Sequence, residues 1–500
     1  MKMKKIIFLV FTLFVVSSLT MGSSIFMTQA KIEPIGPPDV EPNLGGTLHV
    51  VTRHDTTITN KFKAEFLASD LAQNAGITSM EFQQATTDAG WKKLLEDPSK
   101  GIDLAWGGGP ALFNTMENWG LLKHVTNATL KTYIDERVND TIAGAMMKYK
   151  DTSGDYIWIA NAISSFGFTY NEDFLNDYGL DVPTTWTELA SPDFYISDTV
   201  KAVSMGNPPD TTSNTKIYQI ITQAFGWEEG WSILTRMGAN AGIYGGSVYT
   251  RDAVVNRQVG VAMTIDFYGV IANRENPSCH YIIPEGQSIV NGDPIALGIN
   301  TDNQDSAEIF MQYLFSEEGQ TVWMFEGLDR LPVNDDAFTT TYGQTRADLY
   351  SLYNITLDNE GIPFDEFAAT DNLQTTMYYF ESSISNSHNL LRQTWGEMVT
   401  QLRDETINAT YFNELVDDLG EVGITLQESY DLNEYYITDD VEKIAELEAG
   451  WRSFAQQKYR DIICKLGGPC DTKTPFQIIP VLVSTIFIAA MTILIRKKRK

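Results

Sequence analysis

The stretch Ile102-Asp103-Leu104-Ala105-Trp106-Gly107-Gly108-Gly109-Pro110-Ala111 decides the reading of this chain. Its first five residues read as a buried strand, and three consecutive glycines end it. Pro110 has the fixed φ that suits the first position of a helix. Strand, glycine turn and helix in that order make one βα unit. Glycines let backbone approach a ligand, and the amides that open a helix favour an anion, so Gly107, Gly108 and Gly109 are candidate binding residues. A tight turn that holds no ligand uses the same residues. Neither G-x-x-x-x-G-K-[ST] nor G-x-G-x-x-G is present here, so nucleotide binding is not implied.

Working outward, Thr47–Thr52 reads as a strand that leads into the polar Arg53-His54-Asp55. Strand-like Tyr156–Ala160 and Phe168–Tyr170 bracket Ser164-Ser165-Phe166-Gly167, whose two hydroxyls either meet a ligand or satisfy a turn. Val261–Ile265 is a further strand, and Asp266-Phe267-Tyr268 follows it. Asp266 either faces a cation or hydroxyl there, or caps a helix. Asp305 is spaced to cap a helix with Glu308, and Ala307, Phe310, Met311 and Leu314 repeat as one apolar helical face. Short strands alternating with helices predict an α/β protein with open, largely parallel sheets and ligands beyond the strand ends.

Composition narrows the function. Of the 500 residues, 43% are apolar and 20% charged, as in an ordinary globular protein. A formal charge of −29 excludes an ordinary nucleic-acid binder, because phosphate contacts need a basic face. Three cysteines exclude a disulfide framework and show no zinc-type spacing. Cys464 and Cys470 flank a loop able to turn back and are a candidate pair outside the cell, with Cys279 left free and buried. The five histidines are scattered, and neither G-x-S-x-G nor H-E-x-x-H occurs.

The ends suggest a surface protein. Residues 1–30 have a basic start, an apolar run and small residues up to Ala30, the pattern of a signal peptide. Residues 31–44 are a proline-rich linker. Phe476–Ile495 carries no charge and is long enough to span a membrane, and the basic tail at 496–500 favours the cytoplasm. The intervening chain is then extracellular. Asn127, Asn139, Asn354 and Asn408 begin N-glycosylation triplets, which suits that side.

Together these segments resemble the extracellular solute-binding proteins of ABC transporters, in the branch described for iron, thiamine, putrescine or phosphonate-type ligands. The resemblance rests on Asp103–Ala111, Ile163–Asn171, Leu180–Leu189, Gly260–Tyr268 and Arg330–Val333, in that order. It implies a type II periplasmic-binding-protein-like fold: two α/β lobes, a hinge and a central cleft. One lobe would comprise residues 45–162 and 270–400 and the other 163–269. Residues 401–475 would form a helical extension or stalk before the membrane helix. Family cleft loops fall on Arg53 and Asp55, Gly107–Gly109, Ser164 and Ser165, Ser213 and Asn214, Gly246 and Ser247, and Asp266 and Tyr268.

Two departures from the family stand out. The adjacent tyrosines of iron-binding members correspond to Tyr244 and Tyr249, which are separated, and Tyr378-Tyr379 comes much later. The C-terminal span replaces a lipid anchor, an arrangement that looks archaeal. The resemblance implies a non-enzymatic receptor without a cofactor. Its partners would be a small solute or ion, the permease subunits and, through the C-terminal helix, the membrane. A cell-surface glycoside hydrolase, with two carboxylates about 5–10 Å apart, and an adhesion protein are the alternatives.

Overall fold

The computed structural model describes residues 44–470. The signal segment, the linker up to residue 43, the span 476–495 and the tail 496–500 lie outside the described residues. Among those described, no helix is long and apolar enough to cross a membrane.

Eight strands carry the architecture: β1 (Gly46–Thr52), β2 (Ile77–Gln84), β3 (Leu104–Trp106), β4 (Tyr156–Asn171), β5 (Val203–Gly206), β6 (Ala241–Tyr244), β7 (Val261–Ile265) and β8 (Val290–Gly298). They form the main path of a twelve-stranded sheet in the order β6-β5-β7-β4-β8-β3-β1-β2. The two ends are parallel, as expected of βα units. The middle is not: β4 runs antiparallel to β7 and to β8, and β8 antiparallel to β3. The expectation of largely parallel sheets therefore holds only at the ends. The chain crosses out of the first half along β4 and returns along β8, so the crossing strands oppose each other.

β4 also corrects the reading of Ser164-Ser165 as a turn. It is one continuous strand of 16 residues, buried at nearly every position. Aromatic and β-branched residues covered on both faces read as an unbroken apolar run. Gly167 is required by packing rather than by a turn, because a Cβ there would collide with the Ile282 carbonyl.

Each half has its own core. Leu48, Phe62, Trp106, Phe310 and Trp323 belong to the first, and Phe168, Trp186, Trp231, Trp395 and Trp451 to the second. The apolar face Ala307, Phe310, Met311 and Leu314 is buried in the first core. Its helix spans Gln304–Leu314 with Asn303 at the N-cap, not Asp305. Glu308 accepts instead from Asn127 (2.7 Å) and Gln304 (2.7 Å).

The C-terminal residues depart most from expectation. Tyr379, Phe380, Leu391, Trp395 and Val399 join the second core, although residues up to 400 were assigned to the first lobe. The last helix, Val441–Lys465, buries Trp451, Ala455, Tyr459 and Ile462, spaced to lie on one face. Each such side chain contributes roughly 1.5–3 kcal/mol by leaving water. This last helix thus packs on the second core. Cys464 and Cys470 are disulfide-bonded at its end, and Cys279 is free and buried.

Candidate functional site

The helix α1 (Thr56–Ala68) follows β1, and α2 (Pro110–Asn118) follows β3. In the other half, α3 (Thr212–Phe225), α4 (Trp227–Asn240), α5 (Ser247–Val255) and α6 (Asp266–Glu275) follow β5, α3, β6 and β7 in turn. The loops before α1 and α2 and the first turns of α3, α5 and α6 carry the residues expected to bind, with Ser164 and Ser165 on β4.

Gly107, Gly108 and Gly109 all have positive φ, at 82°, 118° and 84°. All three therefore need glycine. A Cβ at Gly107 would sit 2.5 Å from His54 Nε2, and one at Gly108 2.7 Å from Leu112 and 3.0 Å from Arg53. Two of the loop amides are already committed. Gly107 donates to the Pro294 carbonyl (2.8 Å) and Gly108 to Asp293 Oδ1 (3.1 Å). What remains open is the start of α2, whose N-cap Gly109 offers no side chain.

Beneath this loop lies a buried charge network that sequence reasoning missed. Arg330 Nη1 meets Asp293 Oδ2 at 2.8 Å, and Nη2 donates to Ser164 Oγ at 3.2 Å. The guanidinium lies 5.1 Å from the ring centre of Trp323 and 5.6 Å from that of Phe267. His54 Nε2 lies 3.6 Å from Asp293 Oδ2. Burial pushes His54 down to about 4, against the pull of Asp293, so the imidazole is neutral at pH 7. Arg330 was visible only as part of a family motif, and Asp293 is one acid among 65. No local pattern distinguishes either.

Ser165 and Asp266 come together. The Ser165 amide donates to Asp266 Oδ2 (2.7 Å), as does its hydroxyl (3.3 Å), and the Phe267 amide donates to Asp266 Oδ1 (2.7 Å). Burial pushes Asp266 up to about 6, opposed by these bonds and by the charge of Arg330. The Asp266 carboxylate is therefore spent on tying β4 to α6. Asp55 is similarly spent, because it caps α1 by accepting from Thr57 (2.8 Å) and Ile58 (3.1 Å).

Across the seam the remaining residues fall into two groups. Arg53 pairs with Asp88 at 2.6 Å beside the glycine loop. Tyr268 sits under Arg251, 5.5 Å from the ring centre, and is within electrostatic reach of Asp55 in the other half. Gly109 approaches Asn291, which is registered against Ser164. In the second half, the Ser247 hydroxyl bonds to Thr211 and to Ser213 (2.8 Å), placing three hydroxyls where α3 and α5 begin. Asn214 instead braces the backbone, accepting from Gly206 (2.8 Å) and donating to Met263 (3.3 Å). Gly246 caps α5 without a side chain, as Gly109 does for α2. Tyr249 is 62% exposed, and Tyr379 is buried in the second core. Among the described residues, no three His, Cys, Asp or Glu side chains are grouped to hold a metal.

Comparison with known proteins places this geometry. Residues 110–349, just under half the chain, match the family model described as bacterial extracellular solute-binding protein. The phosphoglycerate transport regulatory protein PgtC of Salmonella typhimurium is 25% identical over 177 residues, 35% of this chain and 43% of that protein. The match therefore spans less than half the length of this relative.

Among solved structures, the periplasmic binding protein AfuA from Actinobacillus pleuropneumoniae, with exogenous fructose-6-phosphate bound, aligns with a TM-score of 0.51 at 15% identity. That alignment covers 68% of this chain and 99% of AfuA. The spermidine/putrescine ABC transporter substrate-binding protein PotD from Streptococcus pneumoniae gives 0.51 at 13%, covering 67% and 99%. These likenesses establish the fold as that of type II periplasmic binding proteins. The matched family and fold are those of solute-binding proteins, which are not enzymes.

Proposed function

We propose that this chain is an extracellular receptor that captures a small, anion-bearing solute between its lobes and delivers it to an ABC permease. The observation that carries the reading is that α2 and α5, one in each half, are both opened by a glycine cap, while Tyr268 lies under Arg251 of α5 and within electrostatic reach of Asp55 in the other half. The first-turn amides of α2 and α5 and the Ser213–Ser247 hydroxyls are donors, beside Arg53 and Arg251, which are paired with Asp88 and Asp252 at 2.6 Å each. The acids that suggested a cationic group, Asp55 and Asp266, are both committed within the protein. The names of PgtC and of the AfuA complex, which mention phosphoglycerate and fructose-6-phosphate, agree with an anionic solute.

In this reading, residues 45–162 and about 270–350 form one lobe, and 163–269 with the C-terminal helices form the other. Residues 1–30 direct export and 476–495 anchor the receptor, with the C-terminus in the cytoplasm. Glycans fit the exposed Asn139, Asn354 and Asn408 better than Asn127, whose amide holds Glu308.

The test is a thermal-shift screen of the ectodomain against phosphate esters, carboxylates, polyamines and ferric citrate. A true solute at 100 times its Kd adds about 2.7 kcal/mol of stability. Response to polyamines alone overturns the anion assignment. Response to nothing in the screen or in a cell extract overturns the receptor reading.

A further inference from the structure

The segment 360–371 lies outside the region matched by the family model and adds a piece to the cleft. Its helix, α7 (Glu366–Asp371), is held to α3 along its whole length. Gln223 both donates to and accepts from the backbone of Asp365 (3.0 and 2.7 Å). Lys216 pairs with Glu366 at 2.8 Å, and Gln219 donates to the Ala369 carbonyl at 2.5 Å. Ile362 and Phe364 pack on the second core. Upstream, Gly286 donates to the Glu360 carbonyl (3.1 Å) and Ile362 to that of Ser288 (2.9 Å), just before β8 crosses between the lobes.

The same helix also lies against α2 of the first lobe. No hydrogen bond or ion pair among the described residues joins the two. The helices α2 and α3 start on opposite sides of the seam, one after Gly109 and the other beside Ser213. A segment that touches both spans the opening between them. Its helix is bonded to α3 and only rests on α2.

We propose that residues 360–371 form a strap carried by the second lobe, which closes the cleft mouth against α2 and limits the size of the solute admitted. This rests on the receptor reading above. Opening the cleft breaks only van der Waals contact at α2, whereas detaching the strap from α3 breaks a partly buried ion pair and three hydrogen bonds. The strap therefore moves with the second lobe.

Spin-label distances in the full ectodomain test this without a known solute, using three cysteine pairs at exposed positions. N118C with D371C reports α2 to strap, E228C with D371C reports strap to second lobe, and K100C with E228C reports lobe to lobe. Each pair is measured alone and with phosphoglycerate. Expected are one narrow distance within the second lobe, and a second population or a shift of more than about 2 Å in the other two pairs, the scale of hinge rearrangements. If the lobes move but N118C–D371C stays fixed, or if E228C–D371C is broad, the strap is overturned while the receptor stands. If all three pairs are narrow and constant, no cleft opens, and both readings fail.

Discussion

Replacing Arg330 with Met keeps the long apolar stem but removes the guanidinium, which leaves Asp293 the poorer by its 2.8 Å partner. The two side chains are only 12% and 9% exposed, so water does not replace the lost contact cheaply. Breaking a buried pair from one side costs about 3–5 kcal/mol. His54, 3.6 Å from Asp293, can take up a proton and offset part of the loss, so about 3 kcal/mol is expected. The converse change is milder. Asp293→Asn keeps an acceptor for the Gly108 amide and leaves Arg330 its bond to Ser164 and the field of Asp266. Its cost is about 1–2 kcal/mol, that of one charged hydrogen bond.

The pH dependence gives a second handle on the same network. Asp266 already holds its proton up to about 6, against an ordinary 3.8, so its contribution is greatest at low pH and is lost as pH rises through that window. Without Arg330 the window widens upward, because the charge that opposed protonation of the folded state is gone. The deficit of Arg330→Met therefore shrinks between pH 7.5 and 5.5. Urea unfolding followed by tryptophan fluorescence at both pH values measures it, provided the slope with denaturant is unchanged. A loss below about 1 kcal/mol, or one indifferent to pH, would refute the network as described.

Alanine at the glycine loop should destabilise in the order Gly107, Gly108, Gly109. Gly109 meets only Asn291 at 3.4 Å and bears backbone strain of about 1–3 kcal/mol, whereas Gly107 also drives into the His54 ring. Denaturant midpoints read the order, and its reversal contradicts the geometry. His124 sits 2.9 Å from both Glu117 and Asp151, and although burial opposes its charge, the two carboxylates hold it above its ordinary value. Its stabilisation is complete below the unfolded pKa and lost as pH rises through the raised one, so wild type and His124→Ala should converge in melting temperature above neutral pH. Cys279 is fully buried, and burial pushes its thiol up to about 11. A thiol reagent should leave the folded protein unlabelled and modify one cysteine after unfolding; rapid labelling of the native state would contradict its placement.

The sequence by itself determined the βα units, because their signals are local. A β-rich run, three glycines and Pro110 specify strand, positive-φ turn and helix start without help from the rest of the chain. It also determined where Asp266 stands, directly after the apolar run Val261–Ile265 that reads as a strand.

Only the tertiary structure decided what those groups do. Asp266 was open to a cation or hydroxyl or to a helix cap, and only folding brings the Ser165 amide from 101 residues away onto its carboxylate. Arg330 and Asp293 lie 37 residues apart in the chain, and Arg330 reaches Ser164 from 166 residues away, separations over which no periodic pattern extends. Ser164-Ser165 read as a turn because small polar residues usually mark one. Burial of β4 on both faces overrode that local preference. The C-terminal helices were legible as helices, since their apolar faces recur at helical spacing. Which surface they cover was not, because an amphipathic face records that it must be buried and not against what.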